Sequence, residues 1–229
     1  MKKYLNLSWC LLLVLGFSSC DTDDDGMRDE PTDIGGYAYP SQRSITFFDV
    51  NEDLNINFFT AEGVTAQTVE ILEDGTVIGT GTVSGETGSF NTSILGDLEP
   101  GSYPLRIRTT YSNGNVSEDP FTVSVGHPVN LGEDNPMEVT MDELSSVELE
   151  YEVSTFGAAI DEVLLMLKKN DAGTYMDSGV TLEESGTVEL SETNYQDLNL
   201  AVNDTLYYKF TAESGSLMDE AESYIVIIE

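Results

Sequence analysis

The sequence predicts an all-β chain of two tandem β-sandwiches, and three observations carry that prediction. Short runs of β-branched and aromatic residues alternate with period two between Gly-, Asn- and Asp-rich turns. No stretch keeps a helical period over three turns. A strand–turn–strand pattern near residue 100 recurs near residue 205, the mark of two like units.

The chain begins with basic Lys2 and Lys3, then an apolar run from Trp9 to Phe17, then small Ser18 and Ser19, Cys20 and an acidic burst. That order predicts an export signal over residues 1–19. The apolar run is well short of the roughly 20 residues a transmembrane helix needs. From Asp21 to about Gly36 the sequence is acidic, contains Gly26, Pro31, Gly35 and Gly36, and has almost no apolar residues. Residues 20–36 are therefore expected to form a disordered acidic tether.

Strand signals start beyond the tether. Leu54-Asn55-Ile56-Asn57-Phe58 alternates strictly, and Thr68 to Leu72 precedes the Glu73-Asp74-Gly75 turn. Leu105 to Arg108 and Phe121 to Val125 flank a Ser112-Asn113-Gly114-Asn115 turn. In the second half Val147 to Val153, Val163 to Leu167, Thr205 to Phe210 and Ile225 to Ile228 repeat the habit. Shifting the chain by 103 lays Pro100–Thr109 on Asn203–Ala212, and Phe121–Val125 on Tyr224–Ile228. The boundary falls near Gly126-His127-Pro128, giving sandwiches over 37–126 and 127–229. Some seven short strands per hundred residues without helix predict the immunoglobulin-like Greek key, although neither half has its paired cysteines or core tryptophan. An insertion around Gly179 to Tyr195 predicts an extra hairpin in the second unit.

The formal charge is −33. Such a surface repels phosphate backbones and anionic headgroups, which argues against nucleic-acid binding. Only two cysteines are present, Cys10 within the signal and Cys20 at its end. No disulfide is expected after cleavage, so stability must come from apolar cores.

Catalytic patterns are scarce. His127 is the single histidine and stands at the expected boundary, which removes support for Ser-His-Asp, Cys-His and His/Cys zinc chemistry. The acid pairs Asp142-Glu143, Asp161-Glu162, Glu183-Glu184 and Asp219-Glu220 fall at strand ends and turns, where carboxylates are solvated. No glycine-rich phosphate loop occurs. The expectation is no enzyme and no cofactor. The tract Asp21-Thr22-Asp23-Asp24-Asp25-Gly26-Met27-Arg28-Asp29 fits the start of a calcium loop, but Thr32 stands where a bidentate glutamate is required, so no metal site is assigned. Glycan binding needs exposed aromatic surfaces. With Trp9 inside the signal, the candidates are Tyr37, Tyr39, Tyr111 and Tyr175.

Cys20 after two small residues resembles the lipid-attachment cysteine of bacterial lipoproteins, with Phe17 where leucine is usual. The acidic Asp21, Asp23, Asp24 and Asp25 behind it resemble the surface-export tag of Bacteroidota lipoproteins. With the Asp33-Ile34-Gly35-Gly36 lead-in and tandem sandwiches, the chain is similar to accessory surface lipoproteins of glycan-uptake systems. The resemblance implies a non-catalytic binding module, lipid-anchored in the outer membrane and facing the exterior. Its implied partners are the membrane through the lipid and a glycan or neighbouring outer-membrane protein. A structural or adhesive spacer with a protein partner is the rival reading.

Overall fold

A computed structural model describes residues 35–229. The expected signal peptide, Cys20, Asp21, Asp23, Asp24, Asp25 and most of the expected tether lie outside the described residues.

The first half is a sandwich of two sheets. One runs in the order β1 (Gly36–Pro40), β3 (Asp53–Thr60), β7 (Thr87–Asn91), β6 (Thr82–Ser84). The other runs β2 (Ser44–Thr46), β9 (Val116–Gly126), β8 (Gly101–Tyr111), β4 (Ala66–Glu73), β5 (Thr76–Thr80). The second half repeats the plan. Its smaller sheet is β10 (Val129–Leu131), β12 (Glu148–Val153), β15 (Ser185–Glu189). Its larger sheet is β11 (Glu138–Thr140), β17 (Leu217–Ile228), β16 (Thr205–Ser214), β13 (Glu162–Lys169), β14 (Met176–Asp177). In both halves the opening segment starts in one sheet and crosses to the other. There β2 and β11 pair in parallel with β9 and β17, while every other pairing among the described residues is antiparallel. Two immunoglobulin-like sandwiches result.

Alternation drives each sheet. In β9 the residues Ser117, Asp119, Phe121, Val123 and Val125 face inward while their neighbours face water. The first core gathers Leu54, Ile56, Phe58, Ile71, Phe90, Ile107 and Val123; the second gathers Leu149, Leu165, Tyr208, Phe210, Ile225 and Ile227. Each half also buries an aspartate on its last strand. Asp119 Oδ2 accepts the Ala38 N–H at 2.8 Å, and Asp219 Oδ2 accepts the Val129 N–H at 3.0 Å. These carboxylates satisfy amides of the opening strands that would otherwise be buried without partners.

The repeat needs one correction. On β8 and β16 the shift of 103 is in phase, since Leu105, Ile107, Tyr208 and Phe210 are all buried. On the last strand it is out of phase: Phe121 is 6% exposed, whereas Tyr224 is 39% exposed. A shift of 102 restores the phase, because Val125 beside Ile45 then matches Ile227 beside Val139. The cause is the hairpin. Tyr111 pairs with Asn115 across three residues in the first half, and Ser214 with Leu217 across two in the second. Nor is the insertion a hairpin: Gly179 to Tyr195 holds an irregular stretch, β15 and a single-turn helix α1 (Glu192–Tyr195).

The chain between β2 and β3 joins the halves. Phe48, 3% exposed, packs in the second core although it precedes most of the first, and Phe47 touches both cores. His127 sits at the junction, its Nδ1 3.0 Å from Asp219 Oδ1 and its ring edge-on to Phe47 at 5.9 Å.

Candidate functional site

The alternation that buries Leu54, Ile56 and Phe58 on β3 forces Asn55, Asn57 and Phe59 to the outer face. Antiparallel pairing sets Tyr37 of β1 opposite Phe59, and Tyr39 opposite Asn57. The rings meet as a stack. Tyr37 and Phe59 lie 5.0 Å apart at an interplanar angle of 7°, and Tyr39 and Phe59 lie 5.4 Å apart at 16°. Phe59 is 43% exposed, a large apolar ring left in water. Next to the stack, Asn57 pairs with Thr87 and Asn55 with Ser89, so amides and hydroxyls border the aromatic surface. Mutual stacking fixes the rings before any ligand arrives, which lowers the ordering cost of binding.

This arrangement presents the outer edges of the stacked rings as an apolar surface to a ligand, while Asn55 and Asn57 offer donors and acceptors at its rim and Thr87 Oγ1, which donates to the Ser84 carbonyl, offers an acceptor. It brings together two of the sequence-derived candidates, Tyr37 and Tyr39. Phe59, which bridges them, was missed, although its signal was present: once Phe58 faces inward, Phe59 must face out.

Tyr111 is not part of any binding surface. It is fully buried, its hydroxyl 3.0 Å from Ser117 Oγ, and burial pushes its pKa up. The hairpin position suggested exposure, but the strand continues to Tyr111 and its phase points inward.

Tyr175 lies in the other sandwich, far along the chain from the stack. Lys168 Nζ stands 4.6 Å and Lys209 Nζ 4.7 Å from its ring centroid, and Lys168 also stands 4.5 Å from that of Tyr207. Burial, followed by the carboxylates of Glu222 and Glu220, raises the pKa of its phenol. The ring is occupied by its own ammonium neighbours, which makes it a packed cation–π cluster.

No family model matches the chain, and no curated protein matches it. Solved structures similar to it include the fibronectin(III)-like modules of CbhA from Clostridium thermocellum, at 15% identity and a TM-score of 0.28 over 84% of this chain and 94% of that one. A tri-modular GH5 endo-β-1,4-glucanase from Bacillus licheniformis matches at 13% identity and a TM-score of 0.29, over 83% of this chain and 38% of that one. The titin domains z1z2 in complex with telethonin match at 12% identity and a TM-score of 0.26, over 83% and 95%.

Proposed function

We propose that the chain is a non-catalytic binding lipoprotein. It is held in the outer membrane by lipid on Cys20 and displayed outward by Asp21, Asp23, Asp24 and Asp25, and its first sandwich captures glycan. The observation that carries the binding reading is the parallel stack of half-buried Tyr37 and Tyr39 on exposed Phe59, beside Asn55, Asn57 and Thr87. A sugar ring offers a patch of C–H groups that packs on aromatic carbon, with hydroxyls that suit amide neighbours. Placement beside an uptake complex follows from the family resemblance of the signal region.

The test is a glycan array followed by titration calorimetry on the lipid-free chain and on Phe59→Ala. Phe59 is half in water, so its removal leaves the core intact. Binding of at least one neutral oligosaccharide, weakened about tenfold or more by Phe59→Ala, supports the reading; one well-packed aromatic contact is worth roughly that much.

A spacer reading has its own observation. Phe48 of the first half is built into the second core, so the two sandwiches are joined by more than a linker. Absence of glycan binding across the array would favour that reading.

A further inference from the structure

The described residues contain six arginines and lysines, and four of them are neutralised. Arg108 pairs with Glu70 at 2.7 Å, Lys168 with Glu222 at 3.9 Å, Lys169 with Asp204 at 2.7 Å and Lys209 with Glu220 at 2.7 Å. Arg43 and Arg106 have no ion pair among the described residues, in a chain with 42 acids to nine basic residues. Both line one groove of about 770 Å³ on the outer face of the five-stranded sheet of the first sandwich.

Three neighbouring strands build that groove. Arg106 of β8 pairs with Pro120 of β9, and Pro104 with Thr122. Arg43 leads into β2, its carbonyl accepting the Ser124 N–H at 2.7 Å. Pro104 and Pro120 supply rigid apolar surface to the groove, Thr122 a hydroxyl, and Asp74 of the β4–β5 hairpin a carboxylate.

We infer that this groove binds the carboxylate of a uronic acid within an oligosaccharide, a second subsite that rests on the carbohydrate reading above. A guanidinium presents a planar fork of donors that matches a carboxylate with two parallel hydrogen bonds. The proline faces take the C–H side of a sugar ring, and Thr122 and Asp74 suit its hydroxyls. Surrounding acids limit the ligand. With a Debye length of about 8 Å at physiological ionic strength, the body repels a long polyanion more than a short oligosaccharide whose carboxylates sit on arginine. The groove therefore differs from the neutral aromatic stack in what it selects.

The experiment uses tetramers of galacturonate, glucuronate and mannuronate, each with its methyl ester, which removes the charge and keeps the shape. Calorimetry on the lipid-free chain is expected to show at least one acid binding about tenfold more tightly than its ester. Arg43→Gln with Arg106→Gln is expected to abolish that difference while leaving binding of a neutral glycan unchanged. Equal binding of acid and ester for every tetramer overturns the inference, and so does a preference that survives the double substitution. In both cases neutral-glycan binding lost by Phe59→Ala shows that the carbohydrate reading itself stands. Tetra-aspartate binding as tightly as the best uronate would also overturn the sugar assignment.

Discussion

Asp49 Oδ1 accepts the backbone N–H of Gly157 at 3.0 Å across 108 residues of sequence, and this bond joins the two sandwiches. The same carboxylate accepts the N–H groups of Phe156 at 3.0 Å and Ala158 at 3.1 Å. It also takes the N–H and the hydroxyl of Thr46 at 2.8 and 2.9 Å. Three successive amides of the loop between β12 and β13 thus form a concavity for one anion. The second half carries a related turn: Glu143 Oε2 accepts the N–H and the hydroxyl of Thr140 at 3.1 and 2.8 Å, but its side chain stands in solvent. Thr46…Asp49 and Thr140…Glu143 are the same local device, recruited in the first half to hold the second.

Removing Asp49 should therefore weaken the joint more than an ordinary surface change. Asp49→Ala leaves three loop amides and the Thr46 N–H without their acceptor, and we expect a loss of about 3 kcal/mol. Asp49→Asn should cost somewhat less, because one carbonyl oxygen remains. Chemical denaturation of the whole chain reads the difference. A loss under about 0.5 kcal/mol for the alanine variant would show that the junction does not depend on this contact.

The pH dependence of that difference has a definite sign. Burial pushes the Asp49 pKa up, but the N–H donors of Thr46, Gly157, Phe156 and Ala158 outweigh it and hold the carboxyl below its usual value of 3.8. A depressed folded pKa gives stability that is fully present above the unfolded value of about 3.9 and is lost as pH falls through the folded one. The stability gap between the parent and Asp49→Asn should be constant from pH 7 to about 5 and narrow below about pH 4. A gap that closes between pH 7 and 5 would assign the effect to another group.

Phe48 makes the second link. Phe48→Ala should open a cavity in the core around Leu165 and Phe210 and cost about 3 kcal/mol or more. The loss should appear in protection of β13 and β16 amides from hydrogen exchange, far along the chain from the substitution. If only amides of the first sandwich respond, Phe48 serves its own half alone.

The strand pattern was legible in the sequence because period-two alternation records burial directly. Leu54, Ile56 and Phe58 needed only their spacing to be placed inside. The tyrosines were less legible. Tyr37 and Tyr39 face outward together because β1 pairs with β3, whereas Tyr111 faces inward because it shares the phase of Leu105, Ile107 and Thr109 on β8, right up to the turn. The arginine groove was hidden for the same reason: Arg43 and Arg106 become neighbours only through β9, which lies between their strands. Phe48 and Asp49 were invisible as a joint, since nothing local to Thr46-Phe47-Phe48-Asp49 names a partner loop 108 residues away.

The localisation reading has a direct test. Lipidation needs the Cys20 thiol, so Cys20→Ala should move the chain from the membrane to soluble fractions, since two or more acyl chains are what hold such an anchor. Cell fractionation reads it. A variant that stays membrane-bound as firmly as the parent would remove the lipoprotein reading.

The acidic surface should be improvable at defined places. Antiparallel pairing sets Glu148 directly opposite Glu189, and Glu162 directly opposite Glu213. Like charges in directly opposed positions destabilise a sheet, and opposed unlike pairs contribute roughly 0.2–1 kcal/mol. Glu189→Lys should convert repulsion to attraction with Glu148 and add about 0.5–1 kcal/mol, and Glu213→Lys should do the same with Glu162. Both gains should shrink in 1 M salt, where the Debye length falls to about 3 Å. Sodium chloride should also raise the melting temperature of the parent, because a body of charge −33 repels itself. A lysine variant no more stable than the parent at low salt would mean that the opposed glutamates are already separated by solvent.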